Sequence, residues 1–261
     1  MLTNLEHALT LLRRQKPLVL CLTNQVTMDF MANCLLSLGA APVMTQDAEE
    51  LEELIFISQA ININIGTLDH AFLERAKHAL TQTNTLAKPI ILDPVGAGAT
   101  RLRTRAAKTL ANGADIIRGN ASEIMALVDN AHQTLGVEST HNVSDAKQSA
   151  RTLANQHQCT VVVSGAEDFI TDGSKDHALT FGSPLMPLVT GMGCALTAVI
   201  AAFRAVISSP YEAACIGTNY FSLCGSLAAK KGDKPGSFRT LFIDELYTAD
   251  IQAMGRINHE L

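Results

Sequence analysis

The residues best suited to chemistry form a glycine turn directly before an apolar segment. Gly191, Met192, Gly193 and Cys194 precede residues 195–206, which are predominantly apolar. Two glycines let backbone N–H groups approach a ligand closely, and the start of a helix carries partial positive charge. The four residues are therefore predicted to form an anion hole. A tight turn into a buried helix explains the same glycines equally well.

The turn matches neither of the two common phosphate-binding motifs. No Gly-Lys-Ser or Gly-Lys-Thr sequence is present, which argues against a Walker loop. Leu196 and Thr197 occupy the region in which a dinucleotide-binding fingerprint requires a further glycine. The loop at residues 93–98 contains two glycines but also lacks the fingerprint. Both of these nucleotide-binding classes therefore lose support.

Cys194 occupies the first turn of the predicted helix. A helix N-terminus lowers the pKa of a thiol below its usual value of about 8.5, and it would direct this side chain at a bound phosphate. The ordinary alternative is a small buried hydrophobic residue, which is the usual role of cysteine. The other five cysteines lie in apolar patterns and are predicted to be core residues.

Two acidic residues follow predicted strands. Asp93 begins the loop at residues 93–98, and Glu123 lies three residues after Asn120 in a segment that starts at Arg118. Mg²⁺ bound with substrate phosphates needs only one or two carboxylates, so Asp93 and Glu123 are the predicted metal ligands. Asn120 and Glu123 also have the spacing of a reciprocal helix cap, which the sequence alone favours over magnesium or phosphate binding.

Composition excludes several classes of function. The 261 residues include 47% hydrophobic and 17% charged residues, which predicts a globular chain, and uniform composition favours a single domain over residues 1–261. The net charge is −5 and no basic stripe is present, so neither nucleic acid nor a membrane is an expected partner. The six cysteines lack zinc or disulfide spacing, and no signal peptide is evident. A cytoplasmic location is expected.

Short apolar segments alternate with helical patterns along most of the chain, which predicts a mostly parallel sheet with helices on both faces. Residues 169–171 and 177–181 are predicted to form an antiparallel hairpin, and residues 193 to the end are predicted to be mostly helical. Ligands of such sheets bind at the carboxyl ends of the strands. The loops there include Thr23 and Asn24 as well as the segments described above. Further predicted strands cover residues 18–22, 42–44, 61–65, 90–92, 114–117 and 160–164.

Seven segments, taken in their order and spacing, resemble the hydroxyethylthiazole kinase family. The likeness spans nearly the whole chain, and the set is far more specific than any single motif. The segments are residues 21–24 (CLTN), 38–44 (LGAAPVM), 64–67 (NIGT), 92–96 (LDPVG), 117–123 (IRGNASE), 191–194 (GMGC) and 235–238 (PGSF).

The resemblance implies a ribokinase-like three-layer α/β/α sandwich with a mostly parallel central sheet. It also implies transfer of the ATP γ-phosphate to the alcohol of hydroxyethylthiazole in thiamine salvage, by a homotrimer with sites at subunit interfaces. ATP would be the co-substrate and Mg²⁺ the cofactor. These expectations follow from the resemblance and not from composition.

Individual roles follow where residues match the family pattern. Met44 and Gly191 resemble substrate contacts, and Asn24 is a further predicted one. Arg118 and Ser164 resemble ATP contacts. Cys194 resembles the catalytic position, where a thiol near the alcohol would act as a general base worth about 10²-fold or more.

The sequence departs from the family pattern at two positions. Met192 stands where the family usually has Thr, which removes a hydroxyl, and Ser164 stands where Thr is common, which keeps it. Two alternatives stay open. One is another vitamin kinase of the same fold, acting on hydroxymethylpyrimidine or pyridoxal. The other, which the Met192 departure keeps open, is a nucleotide-binding or ligand-binding protein without activity.

Overall fold

The computed structural model describes residues 2–128 and 143–259. The strands within these residues are β1 (Leu18–Leu22), β2 (Ala41–Val43), β3 (Ala60–Asn64), β4 (Ile90–Asp93), β5 (Ile116–Asn120), β6 (Thr160–Ser164), β7 (Asp168–Thr171) and β8 (Asp176–Leu179). They form one sheet in the order β2-β1-β3-β4-β5-β6-β7-β8.

The first six strands pair in parallel, and β7 and β8 continue the sheet as an antiparallel hairpin. The parallel strands are buried on both faces because helices cover them on both sides. This explains why they are rich in Ile, Val and Leu instead of alternating with polar residues. Their carboxyl ends meet at one edge of the sheet.

The helices form the two outer layers. The described helices are α1 (Leu2–Gln15), α2 (Met28–Leu38), α3 (Leu51–Ile57), α4 (His70–Leu86), α5 (Arg101–Ala111), α6 (Ala121–Val128), α7 (Val143–His157), α8 (Met192–Arg204), α9 (Pro210–Lys231), α10 (Pro235–Thr248) and α11 (Ile251–His259). One layer contains α1, α2 and α8 to α11, and the other contains α3 to α7. A short 3₁₀ helix (Met186–Leu188) precedes α8.

Two hydrophobic cores lie on opposite faces of the sheet. Successive residues of a strand point to opposite faces, so Ile61 and Ile63 enter the core beneath α3 to α7. Ala60 enters the other core, which is packed against α2, α8 and α9. Asn62 and Asn64 share the face of Ala60 by the same alternation. The three-layer α/β/α sandwich with a mostly parallel sheet is thus confirmed.

Several element boundaries differ from the sequence prediction. β5 ends at Asn120 and not at residue 117, because its last three residues pair with β6. Arg118 therefore projects from a strand and not from a loop. The third helix begins only at Leu51. Before it, Asp47 N–H donates to the Thr45 hydroxyl and Glu49 N–H donates to the Asp47 carboxylate, which holds a turn.

None of the helices within residues 2–128 and 143–259 has the length and apolar character needed to cross a membrane. The antiparallel hairpin and the helical C-terminal part of the prediction are confirmed.

Candidate active site

The carboxyl end of β4 places Asp93 at the centre of the predicted site. Its side chain is completely buried. The Oδ2 atom accepts hydrogen bonds from Asn64 Nδ2 at 2.8 Å and from Thr197 Oγ1 at 2.9 Å, and it lies 3.7 Å from Arg118 Nη1. The Oδ1 atom has no hydrogen-bond partner in the described structure. Half of this carboxylate is therefore available to a ligand.

Burial raises the pKa of Asp93 because it disfavours the charged form. The Arg118 charge and the hydrogen bonds from Thr197 and Asn64 oppose this effect. An uncompensated buried oxygen of this kind costs free energy unless a partner satisfies it. A cation that binds Oδ1 would both satisfy the oxygen and favour the ionised form.

Glu123 is the second buried acid at this edge. Its Oε2 accepts from Asn120 N–H at 2.8 Å, while Asn120 Oδ1 accepts from Glu123 N–H at 2.9 Å. These two bonds form the reciprocal helix cap that the spacing predicted. Its Oε1 accepts from Gly96 N–H at 2.8 Å, which ties the loop after β4 to the start of α6.

The surroundings of Glu123 perturb its ionisation. Burial, and then the nearby Asp93 charge, raise the pKa of Glu123 to about 7, against the lowering effect of its backbone hydrogen bonds. Both oxygens already accept one backbone N–H, so Glu123 is a structural cap in the first instance. Any contact with a cation would use the remaining lone pairs of its oxygens.

Arg118 connects this acidic pair to the glycine turn. Its Nη2 donates to Ser164 Oγ on the neighbouring strand β6, and its Nε is buried without a partner. A Cβ atom placed on Gly193 would lie 2.5 Å from Arg118 Nη1. A side chain at position 193 would therefore displace the guanidinium, which packs directly against the first turn of α8.

The glycine turn has the geometry of an anion site. Gly191 has a φ of 94°, and a Cβ atom there would lie 2.9 Å from Thr27 Cγ2, so both backbone conformation and space favour glycine. α8 begins at Met192, and the N–H groups of Gly193 and Cys194 have no acceptor among the described residues. These two groups can donate to a phosphate oxygen.

Cys194 lies at this turn and is mostly buried. Its Sγ accepts from Asn24 Nδ2 at 3.4 Å. The prediction of a lowered thiol pKa is wrong, because burial and the negative charge of Asp93 raise it above the ordinary value. Hydrogen bonds and the Arg118 charge act in the opposite direction but do not compensate. The side chain is thus a neutral thiol at neutral pH.

Most of the predicted residues therefore lie together at the carboxyl edge of the sheet. Comparison with known proteins identifies the family. A family model described as the hydroxyethylthiazole kinase family matches residues 9–252. The chain belongs to the hydroxyethylthiazole kinase family. A hydroxyethylthiazole kinase of Chlamydia felis (strain Fe/C-56) is 49% identical over 262 residues, which cover 100% of each chain.

Solved structures agree with this family assignment. The structure of a hydroxyethylthiazole kinase protein from Pyrococcus horikoshii OT3 is similar with a TM-score of 0.88 and 38% identity, over 94% of this chain and 93% of that one. A ribokinase-like superfamily protein from Enterococcus faecalis V583 gives a TM-score of 0.65 at 19% identity, over 93% and 89% of the two chains, and supports the fold alone. The ribokinase-like fold is confirmed.

Met192, the main departure from the family pattern, is buried in the core between α8 and its neighbours. Its side chain packs in the apolar core. The turn therefore offers backbone N–H groups to a ligand, and the thioether contributes packing. Ser164, the second departure, supplies the hydroxyl that Arg118 uses.

Met44 directly follows β2 and is half-buried against the core on the α8 side of the sheet. Asn24 is buried after β1, and its Oδ1 accepts from Thr27 N–H and Thr27 Oγ1, each at 3.0 Å. Asn24 directly contacts Cys194, whereas Met44 packs against the same core as Cys194. Both are predicted substrate residues of the family.

Sequence reasoning assigned no role to Asn64 or Thr197, which hold Asp93. A signal was present in β3, where asparagines alternate with isoleucines in a segment predicted to be a buried strand. A buried amide in such a strand requires hydrogen-bond partners. The partners of Asn64 include the candidate site residues Asp93 and Asn24. The contribution of Thr197 lies in its position on the inner side of α8, which the pattern alone did not reveal.

No group of three or more His, Cys, Asp or Glu side chains suited to a metal occurs in residues 2–128 and 143–259. Two cavities of the described residues lie away from Asp93, Arg118 and Cys194. One, of about 20 Å³, lies beside Thr23, and the other, of about 370 Å³, lies beside Tyr211.

Proposed function

We propose that this chain phosphorylates the primary alcohol of 4-methyl-5-(2-hydroxyethyl)thiazole, with ATP as the phosphoryl donor, in thiamine salvage. The observation that carries the proposal is the meeting of Asp93, Arg118 and Cys194 at the glycine turn of α8. An acid with a free oxygen, a guanidinium and two free backbone N–H groups surround one point. This set is suited to a migrating phosphoryl group.

The phosphate end of ATP would bind between the glycine turn and Arg118. The N–H groups of Gly193 and Cys194 donate along the helix axis, and Arg118 adds a positive charge from the facing strand. Ser164 orients the guanidinium by accepting from Nη2. Arg118 and Ser164 are thus proposed ATP contacts, and residues 191–194 the proposed anion hole.

The residues present fit a magnesium ion at Asp93. Oδ1 is buried without a partner, and a hard oxygen ligand of this type is what Mg²⁺ prefers. Glu123 is the proposed second ligand, through lone pairs that its backbone hydrogen bonds leave free. When bound, Mg²⁺ would supply charge neutralisation at the ATP phosphates.

The acceptor alcohol would lie beside Cys194. Asn24 and Gly191 flank the thiol, and Met44 offers an apolar contact to the thiazole ring. In the reaction the alcohol oxygen forms a bond to the γ-phosphorus, the bond to the β,γ-bridging oxygen breaks, and ADP leaves. Because the transition state is loose, the alcohol loses its proton late.

Cys194 is proposed to accept that proton. Its raised pKa leaves only a small thiolate fraction at neutral pH, so its contribution as a base is at the lower end of the usual range, about 10²-fold. Most of the rate then comes from positioning and from charge stabilisation by Arg118 and the backbone N–H groups.

We further propose a homotrimer with sites at subunit interfaces. Val26 and Leu188 are 70% and 63% exposed, and they lie next to the loops that carry Asn24 and Gly191. A neighbouring subunit would cover these apolar side chains and enclose the site. Residues 1–261 are proposed to be a single kinase domain. All six cysteines are free thiols, which is compatible with a cytoplasmic location.

The test is to mix the purified chain with ATP, Mg²⁺ and hydroxyethylthiazole and to follow ADP release beside a matched hydroxymethylpyrimidine reaction. Thiazole-dependent ADP release is expected. Release with the pyrimidine alone would keep the fold and assign the chain to another vitamin kinase activity. No release with either alcohol would favour a binding protein.

A further inference from the structure

Asn64 lies at the last position of β3, where it is completely buried between two functional groups. Its Nδ2 donates to Asp93 Oδ2 at 2.8 Å. Its Oδ1 accepts from Asn24 Nδ2 and from Gly66 N–H, each at 2.9 Å. Three hydrogen bonds therefore fix this one amide.

The partners also define which end of the Asn64 amide points to which group. A carboxylate accepts and a backbone N–H donates, so the nitrogen must face Asp93 and the oxygen must face Gly66. Exchange of the two ends would place N–H against N–H and oxygen against a buried carboxylate. The amide consequently has a single favourable orientation.

On the acceptor side, Asn64 fixes the orientation of Asn24. Asn24 Nδ2 donates both to Asn64 Oδ1 and to Cys194 Sγ, while its Oδ1 accepts from Thr27. With Asn64 Oδ1 in place, the Asn24 amide nitrogen is held at 3.4 Å from the thiol. The position of the thiol relative to the proposed alcohol site then depends on this pair of amides.

On the phosphate side, Asn64 fixes the orientation of Asp93. Asn64 and Thr197 both donate to Oδ2, so rotation of the carboxylate would break two buried hydrogen bonds. Oδ1 is thereby the oxygen that stays without a partner and faces the proposed cation site. The register of the sheet supports this arrangement, since Asn64 is the direct neighbour of Asp93 across β3 and β4.

We propose that Asn64 is a positioning residue that holds the acceptor-side amide and the cation-side carboxylate in one rigid array. This inference rests on the proposed function, because it assigns the two sides to alcohol and to cation. Asn64 itself touches neither the alcohol nor the phosphate. It acts through Asn24 on one side and through Asp93 on the other.

Asn62 provides a matched control in the same strand. It is equally buried and lies on the same face two residues earlier. Its Nδ2 contacts Met31 Sδ at 3.4 Å, and its Oδ1 has no partner in the described structure. A buried strand asparagine with a purely structural role is thus available two positions away.

The experiment compares Asn64→Ala with Asn62→Ala, Asn24→Ala and Thr197→Val. For each, kcat and both KM values are measured with hydroxyethylthiazole and ATP. Mn²⁺ binding to the protein with ADP is measured by electron paramagnetic resonance without any alcohol. Thermal unfolding midpoints are recorded in parallel, so that loss of fold is separated from loss of positioning.

Asn64→Ala is expected to weaken Mn²⁺ binding about 10-fold and to lower kcat about 30-fold, within the range typical of residues that support a ligand. Asn24→Ala should change kcat and the alcohol KM but not Mn²⁺ binding, and Thr197→Val should change Mn²⁺ binding but not the alcohol KM. Asn62→Ala should stay within about twofold of the wild type in every binding and kinetic value.

Asn64→Ser covers the case in which Asn64→Ala does not fold. This variant keeps a hydroxyl at the buried position but is too short to bridge Asp93 and Asn24, so Mn²⁺ binding should weaken and kcat should fall. Unchanged Mn²⁺ binding and kcat in both Asn64 variants would overturn the proposal, as would losses that Asn62→Ala matches. A wild type that does not phosphorylate hydroxyethylthiazole would contradict the proposed function, while the Mn²⁺ measurement would still decide whether Asn64 positions Asp93.

Discussion

Asp93 and Asp168 are buried carboxylates at the ends of strands in the same sheet, yet their surroundings differ. Asp168 Oδ1 accepts from Gly165 N–H at 3.1 Å and its Oδ2 accepts from Ser222 Oγ at 2.9 Å. Asp93 uses only Oδ2 for such contacts, and its Oδ1 has no partner in the described structure. Both carboxylate oxygens of Asp168, in the antiparallel hairpin, thus have hydrogen-bond partners. Asp93, in the parallel part of the sheet, keeps one oxygen without a partner among the described residues.

The number of oxygens with hydrogen-bond partners distinguishes a buried carboxylate with a structural role from one that is available to a ligand. A buried oxygen without a partner carries a desolvation cost, which is acceptable where a ligand later satisfies it. Both acids have raised pKa values because both are buried, so the pKa direction does not distinguish them. The distribution of hydrogen-bond donors around the two carboxylates distinguishes them.

The largest expected effect separates the two acids directly. In Asp93→Asn the donors Asn64 and Thr197 hold the amide oxygen, so Nδ2 replaces the free Oδ1 and a donor faces the cation site. We expect kcat to fall about 10³-fold, while the unfolding temperature is unchanged or higher. Asp168→Asn keeps its oxygen for Gly165 and can donate to the Ser222 hydroxyl, so its kcat should stay within about twofold of the wild type. Steady-state kinetics and thermal unfolding of both variants provide the measurement.

Cys194→Ala should lower kcat about 10²-fold with little change in the KM for ATP. Because its thiol pKa is raised, the thiolate fraction grows with pH, and wild-type kcat should still be rising above pH 9. A pH profile of kcat is the measurement, and the alanine variant should lose this rise. Cys215→Ala, at a half-buried cysteine in α9, should keep the wild-type profile. Full turnover in Cys194→Ala would remove the thiol from the chemistry.

Arg118 and Arg103 provide a second comparison, between an arginine with a proposed role in ATP binding and an arginine with a structural role. Arg118→Ala should raise the KM for ATP about 30-fold, as expected for loss of about 2 kcal/mol of charged hydrogen bonding, and change the alcohol KM much less. Arg103 donates to the carbonyls of Ile65, Val95 and Gly66, and its loss should instead lower the free energy of unfolding by about 3 kcal/mol. Kinetics and urea unfolding of both variants test this. Equal KM changes would contradict the distinction.

The smallest effect concerns stability against pH. Burial raises the folded-state pKa of Asp168 to about 6 from an ordinary value of 3.8. The folded state therefore binds the proton more tightly, and this stabilisation is complete below about pH 3.8 and lost as pH rises through 6. About two pKa units correspond to on the order of 3 kcal/mol. Asp168→Asn should lose less free energy of unfolding than the wild type between pH 4 and 7.

Asp176 on the neighbouring strand gives the opposite sign and serves as the control. Its hydrogen bonds with Arg151 lower its pKa, so its contribution to stability is lost as pH falls. Asp176→Asn should therefore flatten the acid side of the curve and leave the range above pH 5 unchanged. An Asp168→Asn curve parallel to that of the wild type would show that Asp168 does not titrate in this range.

Much of the architecture could be predicted from the sequence. Buried parallel strands are continuous apolar segments, so β1 and β6 were predicted with their observed bounds. The end of β5 was missed because Arg118, Gly119 and Asn120 have no strand-like pattern of their own. Their pairing with β6 makes them a strand. Local pattern predicts what a segment buries, and partner strands decide where it ends.

The residues of the candidate site could be predicted from the sequence, but their burial and their electrostatic surroundings could not. Asp93, Arg118 and Cys194 were identified by their loops and by the family resemblance. The thiol pKa was predicted in the wrong direction, because the helix N-terminus is visible in the sequence whereas burial and the nearby Asp93 charge arise only on folding. The role of Asn64 depends on its register with Asp93, which no local pattern specifies.

The most direct test of the account is the product of the reaction. Phosphorus NMR of the wild-type chain with ATP, Mg²⁺ and hydroxyethylthiazole should show a new phosphomonoester signal as ADP accumulates. Asp168→Asn should give the same signal at a similar rate, and Asp93→Asn should give almost none. A wild type that forms no phosphomonoester, or an Asp93→Asn variant as active as Asp168→Asn, would contradict the assignment of the chemistry to Asp93 and its unpartnered oxygen.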